Sequence, residues 1–316
     1  MKSIVIGGAG FIGSHLCEAL LAAGDEVFCV DDFSLGNEGN LSTILANPEF
    51  HLHQVDASRR EELLPVFQQA QPDQVFHLAA NSDIQASAKN PDVEYKNTYS
   101  TTFQVLSCMR ETGVKRIFFA STSAVYGDKR DVALTEETPG LAPISYYGAA
   151  KLGSEALISA FSYMNGFSSL VFRFPNVIGP HLTHGVIFDF IRKLRKNPKE
   201  LEILGDGKQT KPYIYVKDLV GAILQFRDAP QGVTTYNLGV DSATDVTHIA
   251  EIIVEEMELH GVAFRYTGGE GGWKGDVPRF QYDLSKIHAT GWTAGHDSDE
   301  AVRRTVREYL QAEGGR

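Results

Sequence analysis

The chain is poor in cysteine, tryptophan and positive charge. Its 316 residues include two tryptophans and three cysteines, Cys17, Cys29 and Cys108. The cysteine count is odd and the spacing matches no zinc-binding pattern. Cys17 falls in a helical pattern and Cys29 in an apolar strand pattern, so they read as small buried hydrophobes rather than redox groups. A reducing compartment fits. Lysine and arginine number 29 against 40 aspartates and glutamates, a formal net charge of -11. Nucleic acid is therefore not an expected partner, because binding a phosphate backbone needs a basic surface. A local basic pocket for a small phosphorylated ligand remains compatible. No apolar run approaches the roughly 18 residues that would cross a membrane. The N-terminus, MKSIVIGGAG, runs straight into a strand pattern, so no targeting peptide is expected and the expected location is cytoplasmic. His51/His53 and His181/His184 have no acid or thiol cluster beside them, and no metal site is expected.

What is present is an alternation of short apolar strands with helical patterns. SIVIGG, EVFCVDD, FHLHQVD, DQVFHLAA, KRIFFASTS and SSLVFRF read as six strands. Helical stretches lie between them, the longest over 92–112 and 145–165. Such β-α alternation predicts a parallel sheet covered on both faces. The expected class is α/β, a doubly wound, dinucleotide-binding (Rossmann) sheet with a smaller α/β C-terminal lobe. Residues 1–172 form the expected dinucleotide domain, with a returning segment near 212–238. Residues 173–316 form mainly the expected substrate lobe, with the site between the two. Further helices are expected near 245–259 and 298–312.

Two constellations carry chemistry. Gly7, Gly10 and Gly13 give G-x-x-G-x-x-G between the first strand and the first helix. Glycine permits the tight turn, close backbone approach to a pyrophosphate, and close helix–sheet packing. The helix N-terminus favours the anion, which makes Gly7, Gly10, Phe11, Ile12 and Gly13 the candidate cradle. The second strand ends in Asp31-Asp32. An acid there can accept both ribose hydroxyls and would repel a 2′-phosphate, so NAD is expected over NADP. Asp32 reads equally well as a solvated loop carboxylate.

The second constellation is Tyr147 and Lys151 in YYGAAK. Positions i and i+4 lie on one helix face. A nearby ammonium stabilises a phenolate and brings its pKa toward working pH. Tyr146 points to another side of the helix. The fifth strand runs into Ser121-Thr122-Ser123, hydroxyls placed where an open parallel sheet forms its crevice. One of them could hydrogen-bond a substrate oxygen as charge develops. Together the constellations predict proton abstraction from a hydroxyl coupled to hydride transfer onto a nicotinamide.

The segments GGAGFIG, VDD, VFHLAA, FFASTSAVYG, YYGAAK and RFPNVIGP, in that order, resemble the extended short-chain dehydrogenases/reductases, and in particular their nucleotide-sugar epimerase/dehydratase branch. The resemblance covers nearly the whole chain, including LGDGKQTKPYIYVKDL and GDVPRFQYDLSK. It implies Thr122 as the catalytic hydroxyl beside Tyr147 and Lys151. It places Asp56 and Ala57 near the adenine, and Leu78, Ala79, Ala80 and Ser121 along the cofactor, with Lys151 also holding the nicotinamide ribose. Ser123, Asn176, Lys211 and Lys274 are implied to meet the sugar nucleotide. Where the 4,6-dehydratases of this branch carry Asp-Glu after the catalytic threonine, this chain has Ser123-Ala124. Neither can serve as the acid and base that eliminate water. Lys211 and Lys274 stand where arginines are common, and lysine offers a point charge without arginine's fork. The resemblance thus implies a nucleotide-sugar 4-epimerase of the UDP-glucose/UDP-galactose type. A 4-dehydrogenase and a C3 or C5 epimerase stay open, as does a non-catalytic NAD-binding sensor. A homodimer through the helices 92–112 and 145–165 is implied as well. The glycine-rich loop 268–275 reads as a lid, because Trp273 and Lys274 lie in it.

Overall fold

A computed structural model of the chain describes residues 1–81, 87–130, 132–228, 230–269, 275 and 277–314. The chain divides into two compact units. The first contains Met1–Gly127, Leu141–Arg173 and Val220–Tyr236, and the second Asp128–Gly140, Phe174–Leu219 and Asn237–Arg316.

The first unit is built on a seven-stranded sheet in the spatial order Gly232–Asn237, Ser168–Phe174, Arg116–Thr122, Gln74–His77, Lys2–Ile6, Glu26–Asp31 and Phe50–Gln54. Its strands are β1 (Lys2–Ile6), β2 (Glu26–Asp31), β3 (Phe50–Gln54), β4 (Gln74–His77), β5 (Arg116–Thr122), β7 (Ser168–Phe174) and β12 (Gly232–Asn237). β1 pairs in parallel with β2 and β4, β2 with β3, and β4 with β5. The order steps outward from β1 in both directions, the doubly wound pattern, and puts the switch point where the chain leaves β1. Ile4, Ile6, Phe28, Val30, Val75, Phe119 and Val171 fill the core between sheet and helices. They come from continuous apolar runs, as strands covered on both faces require.

Helix α1 (Phe11–Ala22) follows β1, and α2 (Arg60–Ala70) follows β3. The next helix, α3, is not uniform. It begins as Asp92–Glu94, passes through a π-helical turn at Tyr95–Ser100 and continues as Thr101–Thr112. Helix α4 (Tyr146–Asn165) starts at Ser145, whose hydroxyl accepts from the Gly148 amide at 3.1 Å, and ends at Gly166 with φ 66°. Ser at the N-cap and a left-handed glycine past the end are the standard helix delimiters.

The second unit contains short strand pairs and amphipathic helices. β8 (Asn176–Ile178) pairs in parallel with β11 (Tyr213–Tyr215), and β9 (Glu200–Ile203) with β14 (Ala263–Tyr266). The helices Val186–Lys196, Val246–Glu256 and Ser298–Gly314 bury Ile187, Phe190, Ile191, Ile249, Ile253, Val302 and Val306. Residues 128–140 fall in this unit although the sequence reading runs the first domain unbroken to 172. The reason is long-range pairing. The two-residue strand Ala133–Leu134 pairs with Gln281–Tyr282, and Asn237 holds the segment through Nδ2 to the Leu134 carbonyl at 2.8 Å.

Candidate active site

The glycine turn after β1 is shaped so that only glycine fits. Gly7 has φ 83°, and a Cβ there would stand 2.7 Å from the Ala79 nitrogen. A Cβ on Gly13 would stand 2.1 Å from the Gly7 carbonyl oxygen. The first turn of α1 thus lies directly on the loop. Gly10 is the N-cap of α1, no side chain caps it, and the first helical turn carries no acid. Its amides and the helix dipole are available to an anion. Ala79 and Leu78 donate to the Ile6 carbonyl at 2.8 and 2.9 Å, which fixes the Leu78-Ala79-Ala80 segment against the same turn.

Asp31 and Asp32 are separated by the fold. Asp31 is buried and accepts from the Ala9 amide and the Phe33 amide, each at 2.9 Å. Burial pushes its carboxyl above the usual range, against the lowering effect of these amides. Asp32 is exposed and caps the Ser34 amide. Asp31 is therefore the acid at the loop. Asp56 is half-buried and tied to Ser58 Oγ at 2.6 Å and Lys96 Nζ at 3.0 Å, beside Ala57. Against the upward push of burial, these partners hold its carboxyl below the usual range. The cradle, the acid at the end of β2 and the segment after β4 together fit a dinucleotide.

Thr122, Tyr147 and Lys151 come together in the first unit. Thr122 ends β5, and its hydroxyl accepts from the Ala124 amide at 3.2 Å, capping the short 3-10 turn Ser123–Tyr126. Tyr147 is half-buried, and Thr122 acts on its phenol. Tyr146 is 53% exposed and faces away. Gly148 makes the approach possible, because a Cβ there would stand 2.6 Å from the Ala124 carbonyl oxygen. Lys151 is 1% exposed. Its Nζ donates to the Ala120 carbonyl at 2.6 Å and lies 4.7 Å from the Phe119 ring centroid and 5.9 Å from that of Tyr147.

The electrostatics differ from the expectation drawn from spacing alone. Burial pushes the Tyr147 phenol well above its ordinary value, the Glu94 charge adds to this, and the Thr122 hydrogen bond opposes it. Burial pulls the Lys151 ammonium down to about 7, opposed by Glu94 and Glu155. The lysine donates to a backbone carbonyl rather than to the phenol and lies beside the Tyr147 ring. His77, at the end of β4, is held neutral by burial and by Lys151, which bring it to about 3, and it pairs with Thr102 Oγ1 at 2.9 Å.

Several structural partners escaped the sequence reading. Ser121 is buried and its hydroxyl donates to Glu155. Glu155 also takes both ends of the Arg173 guanidinium, from Nε at 3.0 Å and Nη2 at 2.6 Å. Arg173 Nη1 reaches the Tyr126 hydroxyl at 3.0 Å. The second omission is Glu94, which accepts from Asn81 Nδ2 and Thr98 Oγ1, each at 2.8 Å. Of the remaining expected substrate residues, Ser123 opens the 3-10 turn in the first unit. Asn176 opens β8 and Lys211 lies in the strand Thr210–Lys211, both in the second unit. Lys274 and Trp273, and with them most of the suggested lid, lie outside the described residues. Among the described residues no cluster of three or more His, Cys, Asp or Glu could hold a metal ion. No helix among them is long and apolar enough to cross a membrane.

Residues 3–239 match the profile of the NAD dependent epimerase/dehydratase family. The chain belongs to this family. Its cofactor is NAD. A UDP-glucose 4-epimerase of Lacticaseibacillus casei is 30% identical over 333 residues, covering 97% of this chain and 96% of the relative. A crystal structure of a UDP-galactose 4-epimerase superposes with TM-score 0.86 at 37% identity, over 99% of each chain. A dTDP-glucose 4,6-dehydratase from Streptomyces venezuelae, solved with NAD bound, superposes with TM-score 0.91 at 27% identity, covering 100% of this chain and 98% of the other. The family member is thus similar both to epimerases and to dehydratases.

Proposed function

We propose that the protein is an NAD-dependent nucleotide-sugar 4-epimerase of the UDP-glucose/UDP-galactose type, working through a transient 4-keto sugar. The observation that carries this reading is the turn that follows the catalytic threonine. Thr122, Tyr147 and Lys151 supply what oxidation at a hydroxyl carbon needs, while Ser123 and Ala124 supply no carboxylate. A dehydratase needs an acid and a base to remove water after oxidation. An epimerase does not.

Tyr147, once its own proton has been released and it stands as the phenolate, takes the proton of the C4 hydroxyl as that carbon becomes a ketone, and returns it when the hydroxyl is re-formed. The Thr122 hydroxyl holds the phenol in place and shares the developing charge. Lys151 supplies the buried cation of the site. Gly7, Gly10, Phe11, Ile12 and Gly13 would hold the pyrophosphate and Asp31 the adenosine ribose. NAD bound there supplies a hydride acceptor and then a donor, so the sugar leaves with inverted C4 and no net redox change. Asn176 and Lys211 are assigned to the sugar nucleotide, with Lys274 as the second cation. Proton NMR of the purified protein with UDP-hexoses in D₂O, without added NAD, tests the reading. A C4 epimer free of solvent deuterium is expected. A keto product, or deuterium at C3 or C5, would move the assignment to a dehydrogenase or to epimerisation elsewhere.

We also propose a cytoplasmic homodimer formed through α3 and α4. These helices present Tyr95, Phe103, Tyr163 and Met164 to solvent, Tyr163 at 90% and Met164 at 77% exposure. Aromatic and methionine side chains so exposed are characteristic of interface cores. Light scattering at micromolar concentration should give about twice the 34.7 kDa chain mass; a monomer would contradict it.

A further inference from the structure

Glu94 is 2% exposed. It sits at the last position of the α-helical start of α3, immediately before the π-helical turn Tyr95–Ser100. Its two oxygens are held by neutral donors only, the Asn81 amide and the Thr98 hydroxyl. The Asn81 backbone amide donates to the same Thr98 oxygen at 3.3 Å, closing a ring around the carboxylate. No salt bridge involves Glu94 among the described residues. A buried carboxylate without an adjacent cation is costly and calls for a compensating charge nearby. Lys151 presents the complementary anomaly, a buried ammonium whose hydrogen-bond partner is the neutral Ala120 carbonyl. The π-helical turn packs on α4, the helix that carries Lys151 and Tyr147. π-helical turns are rare and recur at functional sites, where they re-aim side chains within a helix.

We propose that Glu94 is the counter-charge of Lys151, a positioning residue that keeps the lysine a cation inside the protein and so fixes the charge state in which the site begins its reaction. The claim rests on the reading of Lys151 as the lysine of the active site. The other groups facing Lys151 contribute less to this role or nothing. On α4 itself, Glu155 also favours the charged lysine, by less than Glu94, and is shared with Arg173 of β7 through a two-point contact. On β4, His77 is neutral. From β5 come only Phe119 and the Ala120 carbonyl. Tyr147 is neutral at rest. Lys96, two residues after Glu94, is exposed and engaged by Asp56 at 3.0 Å. Glu94 remains as the uncompensated carboxylate of the group. Its charge is also the larger of the two that oppose the desolvation of Lys151.

The ring of neutral donors suits this purpose better than an adjacent cation would. A direct salt bridge would spend the carboxylate on its partner and leave Lys151 uncompensated. Held by Asn81 and Thr98, Glu94 keeps its charge and acts across the low-dielectric interior. The site then contains a neutral phenol, one cation and one anion before any substrate arrives.

The test reads Lys151 directly. In protein labelled with ¹³Cε-lysine, the Lys151 resonance is the one lost in Lys151→Met. It should titrate near 7, far below the ordinary lysine value of about 10.4. Glu94→Gln should lower that midpoint by about one unit or more, a tenfold or greater loss of proton affinity, with the folded spectrum retained. Glu94→Asp should restore part of the shift. Glu94→Ala, which also removes the charge and leaves no buried amide to satisfy, covers the case in which Glu94→Gln does not fold. It should lower the Lys151 midpoint in the same direction as Glu94→Gln. An unchanged Lys151 midpoint in folded Glu94→Gln, or in Glu94→Ala if only that variant folds, would overturn the proposal. Failure of the proposed epimerase activity would show instead as no product from the wild-type protein, whatever the lysine does.

Discussion

Tyr146 and Tyr147 are adjacent and chemically identical, and the helix that begins at Ser145 sends them in different directions. Tyr147 meets Thr122, while Tyr146 is turned to solvent. Their roles should separate accordingly. Tyr147→Phe removes the proton acceptor and should lower turnover by roughly 10²- to 10⁴-fold, the usual weight of a positioned general base. Tyr146→Phe should leave turnover within about twofold. NAD carried through purification, read from absorbance after denaturation, should be the same in both. A Tyr147→Phe protein with near-normal turnover would remove this residue from the mechanism. The tyrosine and lysine were legible in the sequence because i, i+4 spacing is geometric and needs no partner. Glu94 was not, since EYKNTY reads as a polar helix face. Its burial depends on Asn81 of another segment and on a π-helical turn that periodicity does not reveal.

At the scale of elements, the contact between the start of α4 and the turn after β5 decides whether the site exists. Gly148 is the residue at that contact. Replacing a helical glycine by alanine ordinarily stabilises by about 1 kcal/mol, but here the added methyl would meet the Ala124 carbonyl at 2.6 Å. Backbone cannot yield as a side-chain tip does, and overpacking costs about 1–3 kcal/mol. Gly148→Ala should therefore lower the Tm and reduce kcat, because relieving the clash moves Tyr147 away from Thr122. Gly221 has nothing within 4 Å of an added Cβ and provides the control. Gly221→Ala should leave the Tm unchanged or raise it. An unaltered Tm and kcat in Gly148→Ala would show that the contact is looser than described. The strands β1 to β5 and the glycine turn were legible because buried parallel strands are continuous apolar runs with marked ends. The placement of 128–140 was not, because a two-residue strand pairing across about 150 positions leaves no local pattern.

For the molecule as a whole, the family follows from the profile match over residues 3–239, and the fold from superposition on relatives with different reactions. The fold accordingly does not choose among those reactions. On the proposed reading the choice turns on few atoms: Thr122, Tyr147 and Lys151 for oxidation at a hydroxyl carbon, and the small residues Ser123 and Ala124 after Thr122, which supply no carboxylate for elimination. Net charge and cysteine content set expectations about partners and compartment but had no bearing on this choice. The most direct measurement is the fate of the sugar in D₂O. With UDP-glucose or UDP-galactose and no added NAD, proton NMR should show the C4 epimer appearing with every carbon-bound proton retained. Accumulation of a 4-keto product, loss of water at C5–C6, or solvent deuterium at C3 or C5 would contradict the account.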